Sequence, residues 1–164
     1  VEYSVLRPDA IHPDRANPSD AGLDVFFNPE SGEPVTLLPG DNAMLPTALK
    51  FGIPHGYMLQ VCNRSSMGVK RSLIVGAHVV DSGYDGEVFI DLHNIGNEEQ
   101  VLQPGDKIAQ LVMIPVISFR AFECDPDELY EETITMSGRG DGALGSTDAS
   151  RDLPHPLDGM PSGF

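Results

Sequence analysis

Glycine and proline divide this chain into short segments, and their spacing limits the possible folds more than any other feature. The 164 residues include 17 Gly and 14 Pro. The apolar runs between them are short, several alternate in polarity, and sustained helical periodicity is scarce. The runs are VTLLPG, AMLPTALKFGIP, YMLQVCN, SLIVGAHVVD, EVFIDLHN and KIAQLVMIPVI. They predict an all-β fold, a sandwich or a barrel of the jelly-roll kind.

The last part of the chain has a different composition. Residues 133–164 are rich in Gly, Ser, Thr, Asp and Pro and poor in apolar side chains. A segment of this kind buries too little apolar surface to order itself. We therefore predict a β domain over residues 1–132 and a mobile C-terminal arm over residues 133–164. The stretch PDELYEE, at the end of the β domain, suits either a short helix or a charged linker.

Charge and cysteine content exclude several classes of function. The formal net charge is −15, with only 10 Lys and Arg residues. A broad nucleic-acid-binding face needs clustered cations, so we expect no nucleic-acid partner. No stretch approaches the length of a membrane span, and the first residues lack the pattern of a signal peptide. The two cysteines form neither a disulfide framework nor a metal-binding spacing. We expect no membrane association and a cytoplasmic location, which is the host cytoplasm if the protein is viral.

Two stretches carry hydrogen-bond donors suited to a small anion. In CNRSSMGVK, Arg64, Ser65 and Ser66 follow a predicted strand and precede a Gly-containing turn. A guanidinium beside two hydroxyls suits phosphate oxygens, although a surface Arg beside turn-forming serines has the same sequence. Gln110 lies among apolar neighbours in PGDKIAQLV, where it points either to solvent or to a ligand.

A third stretch, GAHVVDSGYDGE, carries a candidate base. Two apolar strands flank DSGYDG, which predicts a hairpin with a Gly-rich turn. Asp81 ends the first strand, where its carboxylate either accepts a proton from water or only bonds turn amides. Tyr84 in the turn either stacks on a flat ring or covers the core.

Taken together, five stretches resemble the ordered motifs of the trimeric dUTP pyrophosphatases, or dUTPases. They are SDAGLDVF, RSSMGVK, GAHVVDSGYDGE, PGDKIAQLV and RGDGALGSTD, and they span residues 19–148. The resemblance implies a jelly-roll-like barrel and hydrolysis of dUTP to dUMP and pyrophosphate. It also implies a homotrimer whose active sites lie between subunits, each covered by the C-terminal arm of a neighbour.

The resemblance also implies a role for each matching residue. Asp81 corresponds to the base that activates the water attacking the α-phosphate, and Asp24 corresponds to a supporting residue of the phosphate corner. The phosphate-binding positions are Arg64, Ser65, Ser66, Gln110, Arg139, Gly145, Ser146 and Thr147. The base- and sugar-binding positions are Ala77, His78, Val79, Tyr84, Leu144 and Asp91. The cofactor implied is Mg²⁺, held by the triphosphate and by water rather than directly by the protein.

The chain departs from the family pattern at several of these positions. Leu144 replaces the usual Phe of the last motif, and Lys107 replaces the usual Arg. His78 replaces a Gly that lies against the pyrimidine, and with Asp91 it resembles the related dCTP deaminases. If the hairpin turns around residues 82–85, His78 and Asp91 lie opposite each other on paired strands.

Such a His–Asp pair has two interpretations. Either it shifts the choice of base towards cytosine, which implies a dCTP or dual dCTP/dUTP pyrophosphatase or a deaminase-related activity, or it points away from the base. A dUTPase-like regulatory binding protein is a further alternative, but the presence of Asp81, Arg64 and Arg139 favours an enzyme.

Overall fold

A computed structural model of the chain describes residues 1–129, and these residues form a mostly β structure. The strands are β1 (Glu2–Val5), β2 (Leu23–Phe26), β3 (Val35–Leu37), β4 (Asn42–Pro46), β5 (Leu49–Gly52), β6 (Tyr57–Cys62), β7 (Leu73–Val75), β8 (Val79–Val80), β9 (Phe89–Asn94), β10 (Gln100–Leu102) and β11 (Lys107–Pro115). One short helix, α1 (Ser65–Arg71), follows β6. The predicted all-β, jelly-roll-like barrel is confirmed.

The strands form four small sheets, and long-range antiparallel pairing dominates all of them. The largest has the order β2-β11-β6-β8, and a second has the order β4-β9-β7. The pairs β1-β5 and β10-β3 complete the set. Strand β11 pairs with both β2 and β6, so one strand aligns two distant parts of the chain. Its register against β2 shifts between Lys107 and Ala109, as in a β-bulge.

All four sheets contribute to one apolar core. The fully buried side chains include Leu37, Leu45, Leu49, Leu73, Ile90, Leu92, Leu102 and Ile108. They come from seven different strands, because each strand alternates one buried face with one exposed face. Burial of this apolar surface is the main force that holds the sheets together.

Residues Val1–Phe119 form one compact unit. In the remaining described residues, the amide of Glu128 donates to the carbonyl of Asp125, which makes a turn rather than a helix. The proposed domain boundary at residue 132 lies outside the described residues and stays a prediction. None of the helices in residues 1–129 has the length and apolar character needed to cross a membrane.

The path of residues 76–88 differs from the predicted hairpin. Pairing holds only at its base, where β7 pairs with β9 and the Gly76 amide donates to the Asp91 carbonyl at 2.8 Å. The chain then crosses to the free edge of β6, where Val79 and Val80 lie opposite Gln60 and Leu59. The backbone groups of that edge are paired in this way. The predicted opposition of His78 and Asp91 is therefore wrong.

The predicted turn after Ser66 is also wrong, because Ser65 and Ser66 begin helix α1 instead. Met67 packs into the core, and Ser72 ends the helix in the left-handed region with φ of 52°. A helix of seven residues with two serines and a glycine has no apolar periodicity for a sequence pattern to detect.

A buried asparagine ties three separate segments together. The Asn28 side-chain amide donates to the Thr47 carbonyl at 2.8 Å, and its oxygen accepts from the Ile11 amide at 3.1 Å. The Asn28 backbone amide donates to the Pro46 carbonyl at 2.8 Å. The side chain thus satisfies backbone groups that have no strand partner.

We predict that Asn28→Ala lowers the free energy of unfolding by about 1–3 kcal/mol, because it leaves buried backbone groups without partners. Urea denaturation followed by circular dichroism measures this. The matched control is Asn97→Ala at an exposed site, which should stay within about 0.5 kcal/mol of wild type. Equal effects of the two substitutions would contradict the role given to Asn28.

Candidate functional site

A polar cleft of about 370 Å³ gathers the four predicted phosphate-binding residues that lie within residues 1–129. It is lined by Ala16, Asp20, Ala21, Gly22, Asp24, Arg64, Ser65, Ser66 and Gln110. Strand register explains the gathering, because Gln110 on β11 lies opposite Asp24 on β2 and opposite Cys62 at the end of β6. Arg64, Ser65 and Ser66 follow directly after β6.

Two cations share the carboxylate of Asp24. Arg64 Nε donates to Asp24 Oδ1 at 2.9 Å, and Lys107 Nζ donates to Asp24 Oδ2 at 2.8 Å. The Asp24 side chain is only 14% exposed, so both contacts are partly shielded from water. Arg64 Nη1 also donates to the Lys107 carbonyl at 3.3 Å and to Ser66 Oγ at 3.4 Å. Among residues 1–129, Arg64 Nη2 makes no hydrogen bond, so its donors are free for an anion.

Gln110 is held in place by its neighbours Asn63 and Gly22. Its Nε2 donates to the Asn63 carbonyl at 2.8 Å. A Cβ atom on Gly22 would lie 1.9 Å from Gln110 Oε1 and 3.0 Å from Gln110 Cβ. Glycine at position 22 therefore makes room for this side chain, which explains the Gly of SDAGLDVF.

A second, more apolar pocket of about 230 Å³ contains Asp81 and Tyr84. Its lining residues are Met44, Ala77, Val79, Val80, Asp81, Tyr84, Glu87, Val88 and Phe89. The Tyr84 amide donates to the Asp81 carbonyl at 3.2 Å, and Gly83 has φ of 89°. This is the geometry of a type II turn, which needs glycine at its third position. The turn sets Asp81 and Tyr84 three residues apart at one end of the pocket.

Tyr84 is fixed by contacts at the hydroxyl end of its ring. Its hydroxyl donates to the Glu87 carbonyl at 2.9 Å. The ring also covers Gly86, where an added Cβ would lie 2.5 Å from Tyr84 Cζ. The side chain is nevertheless 47% exposed, so one face of the ring is available to a ligand.

His78 contacts a strand rather than the apolar pocket, although its neighbours Ala77 and Val79 line that pocket. The His78 carbonyl accepts from the Val61 amide at 2.9 Å, and His78 Nδ1 donates to the Val61 carbonyl at 2.8 Å. Because a carbonyl only accepts, Nδ1 carries the proton.

Asp91 is not among the lining residues of the apolar pocket, although it lies opposite Met44, which is. Its Oδ2 accepts from His93 Nε2 at 2.9 Å, and its Oδ1 accepts from Asn42 Nδ2 at 3.1 Å. The hydrogen bond from His93 lowers the pKa of Asp91 below its ordinary value, and the hydrogen bond from Asn42 lowers it by a smaller amount. Its sequence-predicted partner, His78, is not among these contacts.

The two pockets stand far apart on one chain. Val80 lies opposite Leu59 on β6, and the continued antiparallel register sets Asp81 level with Met58, near the start of that strand. Arg64 follows the C-terminal end of the same strand. Six residue positions separate the two levels, which corresponds to roughly 20 Å at the usual rise of a strand. A single chain therefore does not bring Asp81 beside Arg64.

Some lining residues were missed by the sequence analysis. Asp20 and Gly22 lie inside the quoted motif SDAGLDVF, so closer attention to that motif would have found them. Met44 and Phe89 come from β4 and β9 and had no local signal, because only the sheet register places them at the pocket. The predicted residues Arg139, Leu144, Gly145, Ser146 and Thr147 lie outside the described residues.

Comparison with known proteins identifies the family. The family model named dUTPase matches residues 9–148, which is most of the chain. The chain belongs to the dUTPase family. Its resemblance to that family in the five motifs is thereby confirmed.

Individual dUTPases match over nearly the whole chain. The deoxyuridine 5'-triphosphate nucleotidohydrolase of Chlamydia muridarum is 37% identical over 147 residues, covering 88% of this chain and 96% of the relative. The enzyme of the same name from Chlamydia pneumoniae is 36% identical over 140 residues, covering 84% and 91%.

Solved dUTPase structures share the fold. A mutant dUTPase of Staphylococcus phage 80alpha, solved with dUpNHpp, matches with a TM-score of 0.71 at 26% identity, over 89% of this chain and 96% of that chain. A mutant dUTPase of phage phi11 of S. aureus, which coordinates a structural Mg(II) ion, matches with a TM-score of 0.67 at 25% identity, over 76% and 95%.

We predict that Asp24→Asn lowers the free energy of unfolding by about 1.5–3 kcal/mol, because it removes the charge shared by two cations. It should also weaken binding of a nonhydrolysable dUTP analogue, since Arg64 is no longer held in place. Thermal denaturation and calorimetric titration measure the two effects. Asp9→Asn, whose partner contact with Arg7 is 3.6 Å and exposed, is the control and should change neither. Unchanged analogue affinity in Asp24→Asn would contradict the positioning of Arg64 by Asp24.

Proposed function

We propose that the protein hydrolyses dUTP to dUMP and pyrophosphate. One observation supports this most strongly: a chain of the dUTPase family carries a donor-lined polar cleft and an apolar pocket with a carboxylate at its edge. The polar cleft suits a triphosphate, and the apolar pocket suits a pyrimidine and its sugar. The relatives named above carry the same activity in their names.

The apolar pocket would select the nucleoside. Ala77 and Val79 line it and would contact the base, while the exposed face of Tyr84 would pack on the deoxyribose. A ribose carries an extra 2′-hydroxyl, which the Tyr84 ring would exclude. The Tyr84 hydroxyl already donates to the Glu87 carbonyl. The preference for a deoxyribonucleotide would therefore come from the position of the Tyr84 ring and not from a hydrogen bond of its hydroxyl to the sugar.

Asp81 would act as the general base. Its carboxylate takes a proton from water as the water oxygen bonds to the α-phosphorus. The bond from that phosphorus to the bridging oxygen breaks, and pyrophosphate leaves with the electron pair. The type II turn fixes Asp81 relative to Tyr84, so the sugar and the attacking water are held by one structural unit.

The polar cleft would hold the triphosphate. Arg64 supplies free Nη2 donors, and Ser65, Ser66 and Gln110 line the same cleft. By resemblance, Arg139 would reach the γ-phosphate from the arm, and Gly145, Ser146 and Thr147 would surround the phosphate chain. These donors stabilise the charge that develops on the leaving pyrophosphate.

Mg²⁺ would neutralise part of the triphosphate charge when bound. No three His, Cys, Asp or Glu side chains converge on one point within residues 1–129. Both oxygens of Asp24 are already engaged by Arg64 and Lys107. The donor chemistry therefore suits a Mg²⁺ ion held by phosphate oxygens and water, as that ion commonly is.

We further propose that a homotrimer completes each active site. Asp81 and Arg64 are separated by roughly 20 Å along β6. One triphosphate cannot place its α-phosphate at Asp81 and its other phosphates at Arg64 across that distance. A second copy that sets its polar cleft against the apolar pocket of the first would bring the two together, and ring closure by rotational symmetry gives equivalent sites.

The test is a pyrophosphate-release panel with dUTP, dCTP, dTTP and UTP in the presence of Mg²⁺. We predict rapid release from dUTP and little from the other three. Comparable release from dCTP would establish a dual pyrophosphatase instead. The absence of release from dUTP at micromolar enzyme would exclude the proposed function.

Subunit mixing tests the shared site. We predict that Asp81→Asn lowers kcat by about 10²–10⁴-fold and that Arg64→Ala is also nearly inactive. Co-refolding the two variants in equal amounts should restore about a quarter of the wild-type sites, because half of the subunits carry each intact residue and pairing is random. If mixing restores nothing while native mass spectrometry shows mixed trimers, Asp81 and Arg64 act within one subunit.

A further inference from the structure

We propose that His78 and the Asp91–His93 pair are positioning residues that hold the segment 76–81 at two points and thereby place Asp81. The proposal rests on the proposed function, in which Asp81 is the catalytic base. It gives His78 and Asp91 a different task from base recognition, which their family positions suggested.

The first fixed point is Gly76, at the place where the chain leaves β7. Its amide donates to the Asp91 carbonyl at 2.8 Å. Asp91 and His93 are two residues apart on β9, so their side chains share one face of the strand. A Cβ atom on Gly76 would lie 2.3 Å from Asp91 Oδ2 and 2.3 Å from His93 Nε2. The pair therefore lies close against Gly76, and a Cβ atom at this position would have to displace it.

The atoms that cover Gly76 are themselves held in place. Asp91 and His93 bond to each other at 2.9 Å, and Asn42 on the neighbouring strand donates to the second oxygen of Asp91 at 3.1 Å. The Asp91 side chain is only 18% exposed. A fixed pair above Gly76 restricts the direction in which the chain can leave β7.

The second fixed point is His78, which bonds to Val61 twice. Directly opposed residues of an antiparallel pair often exchange two backbone hydrogen bonds. Here the backbone makes only one, from the Val61 amide to the His78 carbonyl at 2.9 Å. The His78 ring makes the other, from Nδ1 to the Val61 carbonyl at 2.8 Å. The imidazole thus replaces a ladder bond and ties the segment to β6.

These two points matter because little else holds the segment. Strand β8 has only two residues, and it pairs only with Leu59 and Gln60. Residues 81–85 are all exposed. Segments with few buried contacts open locally at low cost. Asp81 follows β8 directly, so a shift of the segment moves the base, and a displacement of about 1 Å can cost about 100-fold in rate.

The test compares His78→Leu, which removes the ring donor, with His78→Asn, whose side-chain amide can take the place of Nδ1. His78→Leu should lower kcat for dUTP about tenfold or more, with a smaller rise in KM, because Asp81 loses its reacting position while Ala77 and Val79 of the same segment keep weakened contacts with the base. His78→Asn should restore most of kcat. His55→Leu, at an exposed histidine outside both pockets, is the matched control and should match wild type.

Two further readouts separate positioning from other roles of His78. The ratio of dUTP to dCTP turnover should be the same in His78→Leu as in wild type. The shape of the pH–rate profile should also be unchanged, because in wild type Nδ1 donates to Val61 whether or not Nε2 carries a proton. A changed ratio would show that His78 contacts the base. A changed profile would show that it transfers a proton. Either result would overturn the proposal, as would a lower Tm with normal kcat.

Hydrogen exchange tests the restraint without relying on activity. Amides of residues 76–84 should exchange faster in His78→Leu and in Gly76→Ala than in wild type, while amides of the core strands keep their protection. If wild type does not hydrolyse dUTP, the proposed function fails. The exchange rates still test whether His78 and Gly76 restrain the segment, because they do not depend on activity. Unchanged exchange in both variants would overturn the two-point restraint.

Discussion

The β-bulge in β11 is the constraint on which the polar cleft depends. Along a regular strand, Lys107 and Gln110 are three positions apart and would point to opposite faces. The register shift between Lys107 and Ala109 inserts one residue, so Ile108 and Ala109 are both buried in succession. Lys107 and Gln110 consequently reach the same side. Lys107 bonds to Asp24, and Gln110 lies opposite Asp24 and beside Arg64 in the cleft.

The bulge also brings a second cation, Lys107, to the carboxylate of Asp24. With a net charge of −15, the protein repels a triphosphate at long range unless cations are concentrated locally. Arg64 and Lys107 both bond to Asp24, and Lys107 also lies 3.8 Å from Asp14, so nearby carboxylates balance the two cations. Asp24 fixes the direction of Arg64, and the cleft offers an anion directed hydrogen-bond donors rather than a net positive charge.

Much of this fold follows from local sequence. The alternation in YMLQVCN and KIAQLVMIPVI corresponds to β6 and β11 nearly residue for residue, because each strand has one face in the core. What local sequence did not indicate is pairing between distant segments. Val79 and Val80 look like half of a hairpin, but their partner is β6, about twenty residues earlier. They pair with β6 because the edge of β6 that faces away from β11 would otherwise keep unpaired backbone groups.

The same limit applies to the candidate site. Asp24, Arg64, Asp81, Tyr84 and Gln110 were identified from motifs, since their residue types and order carry the family resemblance. The environment of His78 and Asp91 was not predictable, because it depends on where the chain crosses from one sheet to another. His78 bonds to Val61 on β6, whereas Asp91 bonds to His93 on β9 and to Asn42 on β4.

This crossing supports the proposal that a second subunit completes the active site. Asp81 is anchored beside the start of β6 through β8, and Arg64 follows the end of β6, so one continuous strand sets the distance between them. That strand lies between β11 and β8 in the largest sheet, and its side chains Leu59 and Val61 are buried in the core. Shortening the distance would require breaking the sheet, which costs far more than bringing in a second subunit. A loop could have closed over such a gap; a buried strand cannot, so the fold itself favours a site completed by another copy of the chain.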